Sequence, residues 1–232
     1  MKVIGLIGGM SWNSTMEYYR LINELVATRL GGLHSASIVL YSLDFAEIEC
    51  MQREARWDDA VDILVRAGTA LKQAGADFLV ICTNTMHKVA DVVAEKSQLP
   101  ILHIADVAGR AIAEHGLRRV GLLGTRFVME SFYRDRLQRC FGIEVLVPGQ
   151  EEQNIVHRII YEELCLGKMK RASRQACLKI IEGLRGRGAE GIILGCTELP
   201  LLIQPSDARV PIFDTTRLHA EAVVKLALGE SI

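Results

Sequence analysis

Two short stretches carry the residues best suited to proton-transfer chemistry. One is Cys82-Thr83-Asn84-Thr85, at the end of the apolar run Phe78-Leu79-Val80-Ile81. The other is Gly195-Cys196-Thr197-Glu198, at the end of Gly191-Ile192-Ile193-Leu194. A thiol with an ordinary pKa of about 8.5 becomes a usable base or nucleophile when a helix N-terminus lowers that value. A threonine hydroxyl is a far weaker acid, but it can pass on a proton. Two groups acting on opposite faces of one substrate are what a stereochemical inversion needs: one removes a proton and the other returns one from behind.

The elements that must position these groups read as buried parallel strands. Each apolar run is short and preceded by a glycine turn, Ala74-Gly75-Ala76-Asp77 or Arg187-Gly188-Ala189-Glu190, the pattern of a strand covered on both faces. Small polar residues at the carboxyl end of such a strand sit where open α/β sheets bind ligands.

The two stretches also belong to a longer internal match. Thr83 aligns with Cys196 at an offset of 113, and Gly75-Ala76-Asp77 aligns with Gly188-Ala189-Glu190 at the same offset. Val3 to Gly9 matches Arg119 to Thr125 at 116, Tyr19-Arg20 matches Tyr133-Arg134 at 114, and Pro100 to His103 matches Pro211 to Asp214 at 111. Four matches in order, with slowly drifting offsets, imply a duplicated half-protein, too long to be a solenoid repeat. The expected architecture is α/β, with two pseudo-symmetric parallel-sheet domains and the active site in the cleft between them. The expected halves are residues 1–104 with 216–232, and 105–215, each copy's last helix packing on the other half.

In chain order, Val3 to Ile7 reads as the first strand and Gly8-Gly9-Met10-Ser11-Trp12 as a tight turn. Ser14-Thr15-Met16-Glu17 has capping-box spacing, which predicts a helix start there. A strand over Ala36 to Leu43 precedes a helix carrying Gln52, Arg53 and Arg56; an arginine there could pair with a substrate carboxylate, while a solvated helix face is the commoner role for any single one of them. Asp59 to Gln73, Met86 to Lys96 and Asp106 to His115 read as helices. His87 and His103 could each act as a general base, although a lone histidine so placed is more often a structural hydrogen-bonding group. The second half repeats the scheme. Strands run over Val120 to Leu123 and Ile143 to Val147, and helices over Glu130 to Cys140, Glu151 to Leu166, Arg171 to Arg185 and Thr216 to Leu228.

Composition narrows the function. The 232 residues carry a formal net charge of −1, which provides no electrostatic reason to bind nucleic acid or an anionic membrane. No apolar stretch approaches the roughly 18 residues of a membrane span, and the N-terminal apolar run is too short for a signal peptide. Six cysteines without C-x-x-C spacing support neither zinc nor a dithiol redox motif, and point to reduced thiols in a cytoplasmic setting. Walker A, G-x-G-x-x-G and G-x-S-x-G patterns are absent, as is metal-ligand spacing.

With Gly8-Gly9-Met10-Ser11-Trp12 at the front, Thr83-Asn84-Thr85 and Gly195-Cys196-Thr197-Glu198 resemble the aspartate/glutamate racemase family over essentially the whole chain. The likeness is nearest to its bacterial L-aspartate/glutamate-specific, broad-specificity members. The resemblance implies a cofactor-independent enzyme, commonly a homodimer, with two cysteines as a two-base pair. The second family cysteine falls on Cys196 and the first on Thr83, a departure. Cys82 does not restore the pair, because neighbouring strand residues point to opposite faces. By resemblance, Cys196 is the base toward the L-enantiomer and Thr83 the opposite-face donor. Asn84, Thr85, Thr197 and Glu198 would hold the amino acid, with the Met10 backbone nearby and Gln52 and its neighbour Arg53 reaching the side chain. Related folds isomerise maleate, racemise hydantoins or decarboxylate arylmalonates. A two-lobed binding protein that has lost catalysis is the reading from outside the enzymes.

Overall fold

The computed structural model describes residues 1–231. The chain divides into two units, one formed by Met1–His103 with His219 onward and the other by Ile104–Leu218.

The first unit is built on three parallel strands, β1 (Ile4–Gly8), β2 (Ile38–Ser42) and β3 (Phe78–Ile81), in the order β2-β1-β3. Leu79 also forms an isolated parallel bridge to Ile101, so residue 101 marks the place of a fourth strand. One face is covered by α1 (Trp12–Leu30) and α11 (Thr215–Leu228), whose Tyr18, Ile22, Val26, Val223 and Ala227 pack on Ile4, Leu6, Phe78 and Val80. The other face is covered by α2 (Phe45–Arg53), α3 (Trp57–Gln73) and α4 (Ala90–Ser97). β1 and β3 are buried along their whole length, which is why both read as unbroken apolar runs rather than alternating ones.

The second unit repeats the arrangement. Its strands β4 (Arg119–Gly124), β5 (Glu144–Leu146), β6 (Gly191–Gly195) and β7 (Ile212–Asp214) lie in the order β5-β4-β6-β7, all parallel. The helix α5 (Ile104–Glu114), with α7 (Ser131–Phe141), covers one face, while α8 (Gln150–Arg158) and α9 (Arg171–Gly186) cover the other. Strand orders and pairings correspond one for one, with β7 in the place of the bridge at Ile101. The duplication read from the sequence is therefore a duplication of topology. Each core is completed by the helix that follows the other unit's last strand, α11 for the first and α5 for the second.

Three local expectations are corrected. The first helix begins at Trp12, not at Ser14; its cap is Ser11, whose side chain accepts from the Ser14 amide, and Glu17 pairs instead with Arg20. The predicted long helix over Glu151 to Leu166 ends as an α-helix at Arg158 and continues as a π turn, Ile159–Glu163, and a 3-10 turn, Leu164–Leu166. The tyrosine match shifts by one residue: Tyr18 and Tyr133 are both fully buried, whereas Tyr19 is 55% exposed. A helix shows one face to the core, so burial decides the register where letter identity misled. Among the described residues no helix is long and apolar enough to cross a membrane.

Candidate active site

In the first unit, the turn after β1, the segment after β3 and helix α2 supply the polar side chains. The turn after β1 is shaped by Gly9, whose φ is +88° and whose absent Cβ would lie 2.1 Å from the Leu43 carbonyl oxygen. Only glycine allows that approach. The Gly9 amide donates to Thr15 Oγ1 at 2.8 Å, and that hydroxyl donates to the Ser11 carbonyl at 3.0 Å, so the first turn of α1 holds the loop closed. The Met10–Ser11 peptide is cis. Met10 is buried in the same apolar cluster as Ile48 of α2 and Met86.

After β3 the chain passes through Cys82, fully buried among Val80, Leu6 and Ala220, with its thiol pushed far up by burial. Cys82 is thus a core residue, as strand alternation requires. Thr83 is half-buried, while Asn84 and Thr85 are buried. Gln52 of α2 is 2% exposed and donates to Met86 Sδ at 3.0 Å. Gln52, Met10 and the loop carrying Asn84 and Thr85 are therefore gathered at one end of the sheet. Arg53 is not: its guanidinium lies at the surface, 2.9 Å from Glu49. The helix expected over Met86 to Lys96 begins as a 3-10 turn, Thr85–Val89, which weakens the positive helix end anticipated beside Thr83.

In the second unit the turn after β4 places buried Thr125 at a helix start, its hydroxyl accepting from the Val128 amide at 3.3 Å. After β6 come Cys196, Thr197 and Glu198, exposed by only 7%, 8% and 5%. Glu198 Oε2 accepts from Cys196 Sγ at 3.0 Å and from Thr197 Oγ1 at 2.6 Å. Its other oxygen accepts from Cys165 Sγ at 3.8 Å. Thr215 Oγ1 donates to the Leu194 carbonyl at 2.8 Å, fastening the end of β6 to the start of α11.

The electrostatics of Cys196 run against the expectation of a helix-lowered thiol. Its pKa is raised well above the ordinary range, first by burial, then by the negative charge of Glu198 and by Cys165. The helix that follows, α10 (Leu199–Leu202), has four residues. So short a dipole is outweighed by desolvation and an adjacent carboxylate. The resting group is a thiol with a carboxylate in reach of its proton.

Sequence reasoning missed Cys165, which stood inside a supposedly regular amphipathic helix. Its thiol is raised by burial and by Glu198. It also missed His157, which accepts from the Arg126 amide at 3.4 Å and is driven down to about 4 by burial and the charge of Arg126. Neither has a sequence signal, because each owes its place to packing between elements far apart in the chain. Among the described residues no group of three or more His, Cys, Asp or Glu is disposed to hold a metal ion.

Comparisons with known proteins identify the family and the fold. The Asp/Glu/Hydantoin racemase family model matches residues 7–223. A crystal structure of a protein from Yersinia pestis is 53% identical, with a TM-score of 0.92 and coverage of 98% of this chain and 100% of that one. An aspartate racemase homologue from Pyrococcus horikoshii OT3 is 37% identical, with a TM-score of 0.85 and coverage of 98% and 100%. The broad specificity amino-acid racemase RacX of Bacillus subtilis is 22% identical over 98% of this chain and 99% of its own length. A family match spanning nearly the whole chain, on two parallel-sheet units that repeat one topology, leaves one conclusion: the chain belongs to the Asp/Glu/Hydantoin racemase family.

Proposed function

We propose that this protein inverts the α-carbon of a small amino acid, aspartate or glutamate first, without pyridoxal phosphate or metal. The observation that carries the reading is the Cys196–Glu198 contact. A buried thiol of raised pKa is a poor base at neutral pH unless its own proton has somewhere to go, and Glu198 Oε2 at 3.0 Å is that place. In the proposed step the Sγ proton moves to Glu198, leaving a thiolate. The thiolate takes the α-proton, and the electron pair is held as the enediolate of the substrate carboxylate. Thr83 returns a proton to the opposite face and is reprotonated from solvent, while Glu198 releases the proton it accepted to solvent, which restores the starting state. Asn84, Thr85 and Thr197 bind the α-carboxylate and ammonium, beside the Met10 backbone, and Gln52 meets the substrate side chain. Arg53, paired with Glu49 at the surface, drops out of the proposed contacts. Glu198, first read as a binding residue, becomes the acceptor of the thiol proton.

Racemisation has an equilibrium constant of one, so kcat/KM is equal in the two directions whatever the residues. A weak donor at Thr83 slows both directions and lets α-proton exchange on the L-enantiomer outpace inversion. The test is proton NMR of L-aspartate, L-glutamate and L-homoserine, each incubated with the protein in D2O, with chiral chromatography of the same samples. Loss of the α-proton signal with D-product supports the racemase. Binding without exchange would mark a binding protein, and exchange with homoserine alone would remove the acidic preference.

The six cysteines, none of them in a disulfide among the described residues, fit a reducing cytoplasm, which we propose as its location. A homodimer is supported by Trp12, Met16 and Tyr19, which form an exposed apolar stripe on α1 at 61%, 61% and 55%; a monomeric mass by light scattering would refute it.

A further inference from the structure

Below Thr83, the first unit holds a string of buried rings that the proposed reaction does not use. β3 ends at Ile81, and the Thr83 carbonyl beyond it accepts from His87 Nδ1 at 2.8 Å. A carbonyl oxygen only accepts, so His87 carries its proton on Nδ1. Next to it, where Ile101 bridges Leu79, the Leu102 carbonyl accepts from His219 Nε2 at 2.9 Å, and His219 Nδ1 accepts from Tyr18 Oη at 2.8 Å. His219 is therefore the opposite tautomer. The His87 ring lies edge-on to His103 at 4.9 Å and to His219 at 5.5 Å. All four side chains are buried. They come from α1, the 3-10 turn, the segment after the bridge and α11, and two of them donate to the carbonyl ends of adjacent strand segments.

At the matched positions the second unit carries no histidine. The offsets of the internal match put Pro200 opposite His87 and Ala108 opposite His219, and the buried Tyr133 hydroxyl has no hydrogen-bond partner among the described residues. The string thus belongs to the half that carries Thr83 in place of a thiol. A hydroxyl is so weak an acid that its contribution as a donor depends strongly on aim. The residue that fixes the peptide following Thr83 sets that aim.

Resting on the racemase reading above, we propose that His87 is a positioning residue for Thr83: its Nδ1–H bond to the Thr83 carbonyl, buttressed by His103 and His219, holds the Thr83–Asn84 peptide so that the Thr83 hydroxyl is presented to the substrate. The proposal separates the two halves of the reaction. Exchange on the L-enantiomer depends on Cys196, whereas inversion depends also on Thr83.

The experiment compares D-product formation with α-deuterium incorporation from L-substrate in D2O for H87N, H87Q and H87L. The Asn amide can donate from the place of Nδ1, whereas the Gln amide reaches the place of Nε2. H87N should keep the ratio of inversion to exchange within about twofold, while H87Q and H87L lower it about tenfold or more, with exchange itself within about threefold of the parent. Equal ratios in H87N and H87Q, or inversion and exchange falling together, would overturn the proposal. If H87L does not fold, the Asn/Gln pair decides. A readout independent of turnover is the long-range ¹H–¹⁵N imidazole spectrum of the unaltered protein, where His87 must be the Nδ1–H tautomer; an Nε2–H tautomer overturns the proposal. Absence of exchange by the unaltered protein would sink the racemase reading, and the imidazole spectrum would still judge the bond from His87 to Thr83.

Discussion

The two units share one parallel-sheet topology and differ at their strand ends. After β6 a thiol is backed by a carboxylate: Cys196 and Thr197 donate to Glu198, with Cys165 on its other oxygen. After β3 a hydroxyl is backed by imidazoles that bind main-chain carbonyls. A thiol given a proton acceptor becomes a base, whereas a hydroxyl, far weaker as an acid, depends more on its aim. The difference shows how one duplicated topology comes to carry two unlike strand ends: the sheets stay constant while loop residues diverge.

The sharpest break in that comparison is Cys196→Ala. It should cost on the order of 10³ in α-proton exchange from L-substrate, as expected for loss of a general base, measured by NMR in D2O. A variant that still exchanges would move the base elsewhere. Glu198→Gln comes next, with exchange lowered about 10- to 100-fold. Because the Glu198 charge helps to raise the Cys196 pKa, its removal should also move the alkaline rise of the exchange rate to lower pH. An unchanged pH profile with only KM increased would return Glu198 to a substrate-binding role.

Thr83→Cys should sharpen the comparison from the other side by making the halves alike. Inversion should rise about tenfold in both directions, since a thiol is the stronger acid, as read by chiral chromatography from each enantiomer. Thr83→Ala should slow inversion more than exchange; equal slowing of both would contradict the opposite-face role.

The smallest effect concerns stability. His219 is held neutral, its pKa driven down to about 3 by burial and by His87. Its unfolded-state pKa is about 6.5, so between these values the unfolded chain binds the additional proton. Stability contributed by neutral His219 is complete above pH 6.5 and is lost as pH falls toward 3, by up to about 1.4 kcal/mol per pH unit. Urea midpoints measured across that window should fall with acid, and H219Q should flatten the dependence. An identical slope in the variant would assign the loss to other groups.

Much of the fold was legible because burial on both faces leaves a local signature. The runs ending at Ile81 and Leu194 were recognisable as strands since every residue in them is apolar, and the internal match anticipated equal strand orders. Cys82 is buried in the core cluster with Val80, on the face that strand alternation assigns it. The misses were positions where one residue of register or one distant neighbour decides. Tyr18 rather than Tyr19 is buried because the face of α1 toward the sheet selects it. Arg53 was expected beside Gln52, but one position along a helix turns the side chain by about 100°, out to Glu49.

The sequence by itself determined the two parallel-sheet halves, the strand-end placement of Thr83 and Cys196, and family membership, because periodicity and motif spacing are properties of neighbouring residues. The tertiary structure alone decided the protonation and hydrogen bonding of those groups. Cys196 is raised rather than lowered because desolvation and Glu198 outweigh a four-residue helix. The tautomers of His87 and His219 follow from carbonyls that packing brings to them. Electric fields and desolvation depend on distances through space, and such distances are set only when the chain has folded.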